Sequence, residues 1–143
     1  MYVRVIMKKI HAFEGVYRLL VQEACSRVPG DAGKIWARSE IFDGVSTTGL
    51  YYLSRRNEHR AVYDGIDKLD ARFNALHGEF IASGAPPFTA AILSIERTRR
   101  FFRDNVSFSV SYSYEDVSDM AFERRTELWL KDIFGRDPDL QFD

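Results

Sequence analysis

Four groups of side chains in this 143-residue chain have types and spacing that could do chemistry. Asp64, Asp67 and Asp70 fall together on the acidic side of one helical segment, where a solvated face is the plain reading and a partner surface the sharper one. Glu115, Asp116 and Asp119 cluster just before a later helix and offer, in principle, a carboxylate pair for acid–base work. No second element supplies that pair with a partner, so solvated charges, or carboxylates that meet a basic surface, are the simpler readings. Arg97, Arg99, Arg100, Phe101, Phe102 and Arg103 interleave cations with aromatics, a combination that can hold phosphates and stack on bases. The bland alternative is a long hairpin tip whose phenylalanines tuck back while its arginines stay wet. The fourth group is His11, His59 and His77, and no two of them stand at a zinc-ligand spacing on one element.

Recognised motifs add nothing to these groups. The chain has no Walker A, GxGxxG or GxSxG sequence, so no catalytic residue, metal or cofactor is expected. The single cysteine, Cys25, excludes an internal disulfide and a cysteine-based zinc site. With no histidine or second cysteine near it in sequence, it reads as a structural thiol.

Composition fits an ordinary globular domain, with 45% apolar and 29% charged residues. The 11 Phe and 7 Tyr predict a core rich in aromatic rings. A net charge of −1 argues against a dedicated nucleic-acid protein, whose affinity normally rests on a basic surface, but allows a local basic patch. The opening MYVRVIMKKIHAF lacks an apolar run of secretory length, and no segment approaches a membrane span. A cytoplasmic protein of one domain, 1–143, is the expectation.

The elements that must position these residues follow from periodicity. A first helix is predicted over 8–28, with Ile10, Phe13, Tyr17, Leu20 and Ala24 at three-and-four spacing before Pro29-Gly30. Residues 33–42 suit a strand, with Ile35, Ala37 and Ile41 on one face and Trp36, Arg38 and Glu40 on the other. Asp43-Gly44 signals a turn into a returning strand, 47–54, and the run Arg55 to Arg60 reads as a polar exit. The second helix, 62–82, carries the stripe Val62, Ile66, Leu69, Phe73, Leu76 and Phe80. A second hairpin joins Phe88–Arg97, across a long basic connection, to a strand alternating Val106, Phe108, Val110, Tyr112 and Tyr114 with four serines. That serine face is expected to meet solvent or a partner. A third helix, 118–134, starts at Ser118 as N-cap and presents Phe122, Leu128, Trp129 and Ile133, and the tail 136–143 is expected to be loosely held. The fold class is α+β, in the order α-β-β-α-β-β-α, with a mainly antiparallel four-stranded sheet packed with three helices.

Several pieces in order carry a family resemblance. They are Trp36 opening a strand, Gly49-Leu50-Tyr51-Tyr52 in the next, the helix 62–82 with its proline break, and Tyr112-Ser113-Tyr114-Glu115-Asp116. Glu123-Arg124-Arg125 then leads to Trp129 and Gly135. The pattern resembles the YezG-like family of bacterial immunity proteins. That resemblance implies a protein without catalysis that neutralises a cognate secreted toxin domain, often a nuclease, by stoichiometric binding. Charge then nominates Asp64, Asp67, Asp70, Glu115, Asp116 and Asp119 for the interface, with Tyr51 or Tyr52 as anchors. Glu123, Arg124, Arg125 and Trp129 read as structural, a buried pair holding the last helix to the sheet. Two other readings stay open: a nucleic-acid-binding module using the Arg97–Arg103 loop, and a small ligand-binding domain using a sheet pocket.

Overall fold

Period-two and period-3.6 patterning build a sheet with helices on both faces. The computed structural model describes residues 2–6, 13–100, 103–117, 121–134 and 140–142. In chain order the elements are β1 (Tyr2–Ile6), α1 (Glu14–Ser26), β2 (Lys34–Phe42), β3 (Val45–Leu53), β4 (His59–Val62) and α2 (Ile66–Ala82). They continue with β5 (Ala90–Arg100), β6 (Arg103–Ser113), α3 (Phe122–Phe134) and β7 (Leu140–Phe142). The strand order is β1-β6-β5-β2-β3-β4-β7, antiparallel throughout except for the parallel β4–β7 pair.

Local chemistry explains the joints. Asp43 and Gly44 take φ of 51° and 75°, giving the two-residue turn whose twist suits the β2–β3 hairpin. Gly65, at φ 76°, turns the chain into α2. The Arg27 guanidinium lies against this corner and could shift to admit a Cβ, so it is the left-handed conformation that favours glycine here.

The sheet's two faces have different cores. On one, α1 and α2 bury Tyr17, Leu20, Leu69, Phe73 and Leu76 against Ile35, Ala37, Leu50, Leu93 and Val110. Packed rings continue this core, with Phe80, Phe88 and Tyr112 centroids 4.9–5.2 Å apart. On the other face, α3 closes a smaller cluster of Tyr51, Ala61 and Leu130, edged by Trp129 and Phe134.

The α+β class, three helices and a mainly antiparallel sheet match the sequence expectation, but the described residues form seven strands where four were expected. β1 went unread, although YVRVI alternates, because five residues alone give a weak signal. The polar run Arg55 to Arg60 hides the start of β4, a four-residue strand held by backbone pairing to β3 and β7, which does not depend on apolar side chains. Part of the tail expected to be loose is β7, paired from His59↔Leu140 to Ala61↔Phe142. The long basic connection is mostly ladder: β5 and β6 stay paired out to Arg100↔Arg103, leaving two residues between them. On the serine face, Ser109 and Ser113 are buried rather than wet. The Ser118 cap and Asp119 lie outside the described residues. In α3, Thr126 and Leu130 face inward and Leu128 is 40% exposed, so the helix is rotated from the predicted stripe.

Candidate functional site

What positions α3 is a buried ion triad. Arg38 and Glu40 alternate onto the α3 face of β2, which by itself would bury two charges in the sheet. Arg125 reaches down from α3 and grips Glu40 with two bonds, Nε to Oε2 at 2.7 Å and Nη2 to Oε1 at 2.6 Å. Arg38 donates from Nη2 to the same Glu40 Oε2 at 2.6 Å, and its guanidinium lies 5.7 Å from the centre of the Phe122 ring. Burial disfavours the charged form of Glu40 and is the largest single influence on it. The hydrogen bonds and charges of Arg125 and Arg38 together outweigh that effect and hold the carboxyl below its ordinary range. The buried pair expected in Glu123-Arg124-Arg125 is therefore Arg125 alone, with its partner on β2. Arg124 instead pairs along the helix surface with Glu127, at 3.3 Å.

Beside this anchor, α3 and the β3–β4 edge enclose an open cleft of about 490 Å³. Tyr51, Ala61 and Leu130 form its floor, Tyr63, Ile66 and Phe122 line its walls, and Glu123, Glu127 and Lys131 stand on the α3 rim. Gly49 is required here because the Tyr51 ring folds over it. A Cβ at position 49 would sit 2.5 Å from the phenol oxygen and 2.9 Å from ring carbons. Burial pushes the Tyr51 phenol up to about 12, so it stays neutral at the cleft floor. Tyr63, by contrast, is 66% exposed. Asp64 and Asp67 are exposed and adjoin the lining residues Tyr63 and Ile66 in sequence, but do not themselves line the cleft.

The residues nominated from sequence separate into distinct places. Asp70 accepts from Ser46 Oγ at 2.7 Å and Thr48 Oγ1 at 2.6 Å, so it ties α2 to β3. Tyr52 is 2% exposed within the main core, and successive strand residues point to opposite faces, so it and Tyr51 cannot act together. Glu115 and Asp116 follow β6, whereas Asp64 follows β4, four strands away in the sheet order, or roughly 19 Å at ordinary strand spacing. The two carboxylate groups thus do not form one patch. Arg97 is committed to structure: it donates to the carbonyls of Ala32 at 3.0 Å and Pro29 at 2.6 Å. The Cys25 thiol is half-buried, and burial raises its pKa despite the nearby Arg97 charge. Sequence reasoning missed Tyr63, Glu123 and Glu127 as cleft residues. The only signal for Tyr63 was an aromatic next to acidic residues at the start of a helix.

Among the described residues, no group of three or more His, Cys, Asp or Glu is placed to hold a metal ion. No described helix is long and apolar enough to cross a membrane. No protein-family model matches the chain, and no curated protein matches it.

Proposed function

We propose that this protein is an immunity protein that binds and neutralises a cognate toxin domain, a nuclease by preference, through stoichiometric occlusion. The observation that carries the reading is the cleft: an apolar floor, an exposed aromatic at its wall, and α3 carboxylates at its rim. Interfaces draw most of their binding energy from a few aromatic anchors, while complementary charge speeds encounter and fixes orientation. A basic surface of the kind that holds nucleic-acid phosphates complements Asp64, Asp67 and Glu123, whereas Glu127 is already paired with Arg124 and Lys131. The sequence resemblance to YezG-like immunity proteins supports the same reading. In this proposal the chain itself performs no catalysis, and Tyr63 takes the anchoring role first given to Tyr51 or Tyr52.

The test is co-expression with the C-terminal domain of the toxin encoded beside it. A one-to-one complex and rescued growth are expected. Tyr63→Ala should weaken the complex by tenfold or more, about 1.4 kcal/mol, with the fold unchanged. Absence of both co-purification and protection would remove the proposal.

One observation favours a second reading. The cleft volume of about 490 Å³ lies within the range of small-molecule sites. A ligand reading requires saturable binding of a small apolar cation, abolished by filling the cleft with Ala61→Phe.

A further inference from the structure

We propose that the depression between the loop before β2 and the β3–β4 turn binds a phosphorylated sugar or polyol. Arg55 and Arg56 hold its phosphate, and Asp31 and Glu58 accept hydrogen bonds from its hydroxyls. None of the residues lining this depression also lines the α3 cleft, so the inference does not depend on toxin binding.

Topology makes the depression. After α1 ends at Ser26, the chain passes through Pro29 and Asp31 and enters β2 at Lys34. β2 pairs with β3 out to Lys34↔Leu53, so the start of one strand lies beside the end of the other. The loop before β2 therefore meets the turn after β3. The space they line is about 670 Å³, within the range of small-molecule sites. Tyr52, 2% exposed and part of the main core, closes its base.

Both walls are held by hydrogen bonds of their own. In the turn, Ser54 N donates to Glu58 O at 2.8 Å, Glu58 N to Ser54 Oγ at 3.1 Å, and Asn57 N to Ser54 O at 2.9 Å. In the loop, Ala32 N donates to Pro29 O at 3.0 Å. The Arg97 guanidinium adds bonds to Pro29 O at 2.6 Å and Ala32 O at 3.0 Å, tying the loop to β5. A site fixed in this way loses little further freedom when a ligand enters.

Charge selects the ligand. The guanidinium groups of Arg55, Arg56 and Arg60 line the depression together with the carboxylates of Asp31 and Glu58. Arg60 and Glu58 are paired at 3.1 Å and offset each other. Arg55, Arg56 and Asp31 are exposed, and none of them makes an ion pair among the described residues. Guanidinium groups at adjacent positions of a fixed turn suit a phosphate, whose oxygens match the planar fork of arginine donors. Ionised carboxylates only accept hydrogen bonds, so Asp31 and Glu58 match hydroxyl donors and repel a second anion. A phosphate on a hydroxyl-bearing skeleton meets both demands, whereas a polyanion meets the arginines alone.

Isothermal titration calorimetry on the full chain, at constant ionic strength, tests the proposal with ribose 5-phosphate, glucose 6-phosphate, inorganic phosphate and ribose. Inorganic phosphate should bind, at least one sugar phosphate should bind about tenfold more tightly through its added hydroxyl bonds, and ribose should not bind. Arg55→Ala/Arg56→Ala should weaken every phosphate-bearing ligand about tenfold or more, with circular dichroism unchanged. Asp31→Ala should remove the sugar phosphate's advantage and leave inorganic phosphate bound at least as tightly. The proposal is overturned by no phosphate binding, by phosphate affinity unaltered in the arginine variant, by sugar phosphates no tighter than inorganic phosphate, or by an advantage that survives Asp31→Ala.

Discussion

Replacing Glu40 by Gln tests the central claim about α3, that a buried triad fixes it to the sheet. The substitution keeps size and shape but removes the charge that faces two guanidinium groups. Three short bonds converge on this carboxylate, two from Arg125 and one from Arg38, at 2.6–2.7 Å. Glu40 is 5% exposed and Arg38 is 3% exposed, so water cannot replace the lost partner. Removing one member of such a buried group costs about 3–5 kcal/mol, because the remaining charges stay desolvated without compensation. Urea unfolding measures the total loss, and hydrogen exchange over 122–134 locates it. Because the lost charge is the partner that ties Arg125 of α3 to β2, the α3 amides should lose protection before those of β2 and β5. The pH dependence has a definite sign. The folded-state carboxyl lies below its ordinary value, so its contribution is present above the unfolded carboxylate pKa and is lost as pH falls through the lowered one. The stability gap between wild type and Glu40→Gln should therefore narrow in acid. A loss under about 1 kcal/mol at neutral pH, well short of a buried-pair effect, or a gap that widens in acid, would refute the reasoning.

Four further outcomes follow from particular residues. The Tyr17 and Tyr112 hydroxyls share a buried hydrogen bond of 2.5 Å, so Tyr112→Phe should cost about 1–3 kcal/mol in thermal unfolding. The double Phe variant should cost less than the sum of the singles, because neither hydroxyl is then left buried without its partner. Gly49→Ala should cost about 1–3 kcal/mol by forcing the Tyr51 ring away, and should shift the emission of Trp129, whose ring centre lies 5.5 Å from that of Tyr51. Asp70→Ala should lower stability by about 1–3 kcal/mol through the lost Ser46 and Thr48 bonds while leaving partner affinity intact. Asp64→Ala/Asp67→Ala should do the reverse, staying within about 0.5 kcal/mol in stability and slowing association with the toxin domain as measured by stopped flow.

Periodicity settled the helices and the central strands. The stripe Leu69, Phe73, Leu76 and Phe80 can be buried only as one helical face, and the structure buries all four. Trp36, Arg38 and Glu40 had to oppose Ile35, Ala37 and Ile41, because strand residues alternate whatever covers them. The short strands β1, β4 and β7 escaped because three to five residues show too little alternation to read, and their pairing is made by backbone groups, which carry no residue-type signal. The site was less legible. Asp64, Asp67 and Asp70 look alike in sequence, but only the packing of α2 on β3 turns Asp70 inward to two hydroxyls and leaves the others outside.

The sequence by itself determined the α+β class, the faces of β2 and the aromatic content of the core, because these depend on local spacing and residue volume. Tertiary structure alone decided which residues meet. It joined Glu40 to Arg125 across 85 positions, separated Glu115 from Asp64, and set the end of β3 at Leu53 and Glu96 of β5 on either side of Lys34. The reason is physical: strand order and the placement of a helix on a sheet follow from long-range burial and pairing, and those energies are not written in any one window of the chain.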